Sequence, residues 1–257
     1  MRKPSIPCLK PTILFLAITL CACCTHRSAD EGILKQKEAA QAVIDSCRTA
    51  DDTQAALQKF KAEKNPYGQM LALKKLGKTY RNQANFGEAI RVSEEAYRIA
   101  EQLKDTSAMI QNLNDLGTNF RRMGVLQKAS DYHYRALTLA EKVEDTTYTS
   151  QKNKVVALNG LGNVLLTLEN YTAAEAAFKR AMAGEKKLGS ELGQAINAAN
   201  IGAIFDHKEQ YDSAYHYYQQ SLHHNQAAHS DLGIALCHGY FGSLNEKQGK
   251  YKEARED

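Results

Sequence analysis

Apolar positions along this chain keep a helical spacing, and from Tyr67 onward the spacing itself repeats. A glycine preceded by a bulky apolar residue recurs as Leu76-Gly77, Leu116-Gly117, Leu161-Gly162, Ile201-Gly202 and Phe241-Gly242, at steps of 40, 45, 40 and 40 residues. Nine residues after each glycine stands a large side chain (Phe86, Leu126, Tyr171, Tyr211, Tyr251), and twelve after it an alanine (Ala89, Ala129, Ala174, Ala214, Ala254). Each unit predicts two helices. The second unit places them at 107–123 and 127–143 with Gly124 in the turn, and the third at 150–168 and 172–188 with Glu169-Asn170 between them. Short polar joints such as Lys104-Asp105-Thr106, Glu144-Asp145-Thr146 and Leu188-Gly189-Ser190 separate the units, and Ser190 and Ser230 stand where helix N-caps are needed. The 45-residue step puts extra residues around 146–154, at the start of the third unit.

Upstream the pattern is shorter. Ile33, Ala40, Val43, Ile44 and Cys47 predict a helix over 33–48, and Ala55, Leu57 and Phe60 a second over 53–64, stopped by Asn65-Pro66. These two helices are expected to cap the open end of the stack, with residues 23–32 as a tether. A glycine inside a helix costs up to about 1 kcal/mol against alanine, so its recurrence marks places where a facing helix comes too close for a side chain. The alanines have the same explanation from the partner helix. A repeat of this length builds a solenoid, which offers a surface rather than a reaction.

The strings Leu76-Gly77-Lys78-Thr79-Tyr80 and Tyr171-Thr172-Ala173-Ala174 resemble the tetratricopeptide repeat (TPR), over 67–257 as four full units and a truncated fifth. The resemblance implies an all-α fold, a right-handed superhelical solenoid of antiparallel helix pairs. The units depart from the family's usual 34 residues by running to about 40, and they lack its proline near the unit end; this longer form is similar to the repeats of kinesin light chains and bacterial peptide-sensing regulators. In this family the first helix of each unit lines a concave groove. The resemblance places there Lys74, Lys78, Arg81 and Asn82; then Asn114, Thr118, Arg121 and Arg122; then Asn159 and Asn163. Further on it places Ala199, Ala203, Asp206 and His207, and finally Gly239, Ser243 and Glu246. Converging cations suit an acidic peptide or a C-terminal carboxylate, and asparagine amides carry the donor and acceptor that hold an extended backbone. The expected partner is therefore a protein or peptide segment.

The N-terminus changes the picture. Arg2, Lys3 and Lys10 precede a charge-free apolar run of 12 residues, Pro11 to Ala22, too short to span a bilayer and of secretory-signal length. It ends Leu20-Cys21-Ala22-Cys23, which resembles a bacterial lipobox with Cys23 as the lipidated first residue of the mature chain. The expectation is a signal peptide over 1–22 and a lipid-anchored, extracytoplasmic protein; the alternatives are an ordinary cleaved signal or an uncleaved anchor. Removing residues 1–22 takes away three positive charges and no acid, so the formal charge falls from +4 to +1. That balance gives no general attraction to nucleic acid. Of six cysteines, Cys47 lies before the first unit and Cys237 in the last, so helices stacked about 8–10 Å apart predict no disulfide between them.

Catalytic, cofactor and metal motifs are not found. His216 and His223 are seven residues apart on one helix, about 10 Å along its face, too far to share one metal ion, and no H-E-x-x-H, C-x-x-C or phosphate loop occurs. By register the chain stops at the opening of the fifth unit's second helix, so the expectation is a fragment of a longer protein. The favoured function is a non-catalytic peptide-binding scaffold, with a sensory ectodomain or an envelope-assembly lipoprotein as alternatives.

Overall fold

The computed structural model describes residues 35–144 and 147–250, and all the regular structure among them is helical. The lipobox, Thr146, Tyr251 and Ala254 lie outside the described residues. Contacts divide the chain into a unit ending at Ala72 and a unit beginning at Leu73. In the first, α1 occupies 35–46 and α2 runs Ala50–Ala62. Thr49 and Asp52 close a reciprocal capping box at the α2 N-terminus, each side chain accepting from the other's backbone N–H. Asn65 then caps the helix that opens at Pro66, accepting from Gly68 N–H at 3.0 Å.

The second unit contains the rest of α3 (Pro66–Asn82), then α4 (Phe86–Gln102), α5 (Thr106–Arg122), α6 (Leu126–Glu141), α7 (Tyr148–Thr167), α8 (Tyr171–Lys187), α9 (Glu191–His207), α10 (Tyr211–Ala227) and α11 (Asp231–Lys247). Most are 17-residue helices separated by three-residue turns, so the forty-residue period resolves into two steps of twenty. Each turn holds one residue in the left-handed region: Ala84, Lys104, Gly124, Glu169, Gly189, Glu209 and His229 follow one another at that step except across the α6–α7 joint. The N–H after it reaches back five residues, as Val125 does to Phe120 C=O at 2.9 Å, which closes the helix end. Only some of these residues are glycine; the others accept a conformation that disfavours L side chains. The last residue of the turn then caps the next helix through its side chain: Asn85, Asp105, Asn170, Ser190 and Ser230 all do so. The two serines expected to cap are thus confirmed. The extra residues of the 45-residue step lengthen both the α6–α7 joint and α7, which has 20 residues.

Three-residue turns make neighbouring helices antiparallel, and from α4 to α11 each packs on the next. The expected small residues sit in the interior: Ala89, Ala129, Ala174 and Ala214 are all 0% exposed. What lies over each glycine is the side chain sixteen residues on. A Cβ at Gly77 would stand 3.1 Å from Ser93 Oγ, and at Gly117, Gly162 and Gly202 it would stand 2.6–2.7 Å from rings of His133, Phe178 and Tyr218. The close approach inferred for the alanines is therefore shared with this second, larger partner, which fills the space the glycine leaves. Cys47 and Cys237 are buried thiols. The fold class is the all-α solenoid of antiparallel helix pairs that the repeat implies.

Candidate functional site

The odd-numbered helices α3, α5, α7, α9 and α11 carry the positions counted from each glycine that were expected to line a groove. Direct packing of α5 on α7, α7 on α9 and α9 on α11 puts equivalent positions side by side on one wall. Side chains bridge the same helices: Arg81 on α3 reaches α5, and Lys247 on α11 reaches Asp206 on α9 at 2.7 Å.

The cations on this wall fall into two classes. Arg81 Nη1 donates to Asp115 Oδ1 at 3.0 Å and to Asn119 Oδ1 at 3.2 Å, with 15% of its side chain exposed. Lys74 Nζ donates to Gln111 Oε1, and burial holds its ammonium below the usual lysine range, an effect opposed by Asp115 and Asp105. Arg81 is neutralised from within the protein, because Asp115 sits two residues before Gly117 and faces back across the α3–α5 boundary, and Lys74 is held by the Gln111 amide. The expectation that all five cations face an open hollow is corrected accordingly. Lys78, Arg121 and Arg122 pair with no carboxylate among the described residues. Lys78 and Arg122 are exposed; Arg121 is half-buried, and burial together with Arg122 lowers its guanidinium from the ordinary value. An arginine so placed stays a cation.

The amides divide in the same way. Asn114 is 4% exposed, donates to the Asn153 C=O at 3.5 Å and meets His133 Nδ1 at 3.2 Å. It ties α5, α6 and α7 together, so its expected role of holding a partner's backbone is a second correction: the helices close over position three before the glycine once that residue has interior partners. Asn163 is half-buried and donates to the Asn159 C=O at 2.8 Å. Asn159 Oδ1 is buried with no hydrogen-bond partner. Thr118 Oγ1 donates to the Asn114 C=O at 2.9 Å, and Asn82 is exposed. His207 stacks on Tyr171, and Asp206 is taken by Lys247.

Sequence reading passed over the apolar half of the wall. Leu192 and Ile196 on α9 are 49% and 50% exposed, and Leu232 and Leu236 on α11 are 75% and 50% exposed. With Ala199 and Tyr240 they border a cleft of about 240 Å³. The signal was present: these residues stand ten and six before Gly202 and Gly242, forty apart, at positions that hold Ser107 and Gln111 on α5. The histidines are engaged otherwise. His224 Nδ1 lies 2.6 Å from Glu191 Oε2 and His216 bonds Gln220. Among the described residues no three His, Cys, Asp or Glu side chains gather as for a metal ion, and no helix is long and apolar enough to cross a membrane.

A tetratricopeptide repeat family model matches residues 68–142 and 107–187. These are tetratricopeptide repeats. No curated protein matches the chain significantly. Among solved structures, the TPR fold here is similar to BtubC (BKLC) from P. vanneervenii, at 17% identity and TM-score 0.68, over 85% of this chain and 87% of that one. It is similar to the apo form of RapI at 16% identity and TM-score 0.63, over 79% and 56%. It is similar to a signal transduction ATPase with a tetratricopeptide repeat sensor from Pyrococcus horikoshii at 13% identity and TM-score 0.69, covering 86% of this chain and 34% of that one. At these identities the likeness shows the fold. Helices α3, α5, α7, α9 and α11 share one wall, and the residues on it rather than the architecture distinguish this chain.

Proposed function

We propose that this protein is a non-catalytic TPR scaffold, tethered outside the cytoplasm through a lipid on Cys23, that grips an acidic protein or peptide segment, or a C-terminal carboxylate, along its inner wall. The observation that carries the reading is the unpaired set Lys78, Arg121 and Arg122, which share one wall while their neighbours Lys74 and Arg81 are satisfied internally. A cation kept half-buried without a carboxylate loses hydration with no compensation inside the protein; an incoming carboxylate supplies it, bidentately for arginine. Asn159 and Asn163, both half-buried, stand on the next inner helix where a backbone would continue. The extracytoplasmic tether is supported by the basic start, the apolar run and the Leu20-Cys21-Ala22-Cys23 string.

The test is a crosslinking pull-down from the native envelope with the intact lipidated protein, repeated with Arg121→Glu/Arg122→Glu. Partners captured by the natural protein and lost in the double variant, at unchanged thermal melting, support the reading. Identical capture by both removes the basic site from it. Metabolic labelling with a fatty-acid analogue checks the tether: label on the natural chain is expected to vanish in Cys23→Ser, and label that persists there refutes lipidation at Cys23. A second reading, the sensory part of a larger regulator, is favoured by one observation: in the Pyrococcus signalling ATPase a TPR sensor of this fold forms only a fraction of the chain.

A further inference from the structure

The inner wall changes character along the stack. On α5 it presents Arg121 and Arg122 without carboxylate partners. On α7 the position six before the glycine is Val156, 41% exposed. On α9 and α11 the wall is a strip of Leu192, Ile196, Leu232 and Leu236, all about half exposed or more, over a floor that includes Ala195 and Ala199. Four large apolar side chains bordering one cleft form a contiguous patch rather than scattered surface residues, and such patches mark binding sites. Cations stand on this wall near one end and leucines near the other, so its occupant is bipolar.

We infer that the wall takes an extended segment whose large apolar side chains seat on α7, α9 and α11 while an acidic group at one end reaches Arg121 and Arg122 on α5. The inference rests on the peptide-binding reading above and adds the partner's chemistry and spacing to it. Charge complementarity commits the acidic end to α5, since the acids exposed on α11, Asp231 and Glu246, repel it from the other end. The spacing follows from geometry. Packed inner helices stand about 9 Å apart, and an extended chain advances about 3.3 Å per residue. Each helix crossed at one level therefore consumes about three residues, so apolar side chains recur at about every third position. Arg121 stands ten residues further along its helix than the level of Val156, Ile196 and Leu236, about 15 Å at 1.5 Å per residue, so the step from α7 to α5 covers about 17 Å and the acid follows about five residues after the last apolar side chain. A purely acidic segment would leave the strip uncovered; a purely apolar one would leave the arginines unpaired.

The probe is a fluorescent thirteen-residue peptide with leucine at its first, fourth and seventh positions, aspartate at its twelfth and thirteenth, and serine elsewhere. Its control replaces the leucines by serine. Binding of both to the full chain is followed by fluorescence anisotropy. The leucine peptide is expected to bind at least tenfold tighter than its control, and Ile196→Glu/Leu236→Glu is expected to abolish that preference. Both side chains are half exposed, so the variant leaves the core intact, and a circular-dichroism melt verifies it; the peptide pair tests the natural protein whatever that variant does. Arg121→Glu/Arg122→Glu is expected to weaken both peptides. Equal binding of the two peptides, no binding of the leucine peptide, or a preference that survives Ile196→Glu/Leu236→Glu overturns the inference. If the arginine effect persists in that case, the acidic-partner reading stands alone; if it is lost as well, both fall. A homodimer that the Ile196→Glu/Leu236→Glu variant dissolves assigns the strip to a second copy and overturns the inference too.

Discussion

Replacing Gly162 by alanine tests the packing on which the wall depends, because two effects of similar size oppose each other there. Gly162 lies inside α7, so alanine gains about 1 kcal/mol of helix propensity. The new Cβ, however, would stand 2.6, 2.8 and 2.9 Å from three ring atoms of Phe178. Phe178 is 0% exposed and belongs to a cluster with Leu161, Ala174, Ala181 and Ile201, all buried, so the ring has no void to enter. Overpacking of this kind costs about 1–3 kcal/mol, and a contact closer than any ordinary Cβ makes falls in the upper part of that range. The net expectation is a loss of about 1–2 kcal/mol, and a melting temperature lower by roughly 2–8 °C for a chain of this size. Urea and thermal unfolding followed by circular dichroism measure it. The same substitution at Gly87 is the control: it lies in the first turn of α4 with nothing within 4 Å of its would-be Cβ, so it is neutral or stabilising by up to about 1 kcal/mol. Trimming the ring relieves the clash, so Gly162→Ala combined with Phe178→Leu is expected to destabilise by less than the two singly summed. A Gly162→Ala protein that melts at or above the natural one, or strict additivity in the pair, refutes the account of why glycine recurs.

Two further substitutions probe interior polar groups. Glu185, 2% exposed, is held by Lys152 Nζ at 2.7 and 2.9 Å; Lys152→Met leaves that carboxylate buried and unpaired and is expected to cost about 3 kcal/mol, with Lys152→Met/Glu185→Gln recovering most of it, both read from urea midpoints. His133 is buried against Gly117 and Gly160, and burial with the Arg121 charge lowers its pKa to about 4. The unfolded chain therefore takes up the proton first, so stability present above about pH 6.5 is lost as pH falls toward 4, by at most about 3 kcal/mol; His133→Gln is expected to remove that part of the pH dependence of the urea midpoint, and an unchanged profile sinks the assignment.

The helical period was legible because it is written in residue classes that packing constrains tightly. Glycine and alanine at Gly162 and Ala174 leave no alternative once two helices meet, so the class of residue announces the position. The left-handed turn residues were not legible beyond Gly124 and Gly189, since Ala84, Lys104 and Glu209 carry no glycine to betray the conformation. The inner wall was half legible. Counting from the glycine brought the right helices together, but it could not tell Arg121 from Arg81, because the difference lies in Asp115, a residue on another helix that completes the ion pair. Asn114 failed for a related reason: an amide reads as a surface group until His133, nineteen residues away, is seen to claim it. The exposed leucines escaped because an apolar residue on a helix is expected to face the core.

Neighbouring units are also matched in pairs, and this bears on how the wall keeps its gradient. Glu185 lies against Gly193, and Asn225 lies against Gly233, with no room for a Cβ in either place. The equivalent pair one boundary earlier is Ala140 with Asn153, where the bulk is on the other partner. A larger residue at the end of one unit thus requires glycine at the start of the next, and units with the opposite pairing do not stack in exchanged order without a clash or a void. The order of units is therefore set by their buried edges, while exposed positions between those edges are free to vary. Since every inner helix presents the same register, variation from Ser107 and Gln111 to Leu232 and Leu236 is laid out in space as a gradient from polar to apolar. Exchanging the buried edges alone should unfold the stack, whereas exchanging the exposed pairs alone should leave it folded and move the apolar strip toward α5, where a leucine-bearing peptide would no longer meet its acid's partners.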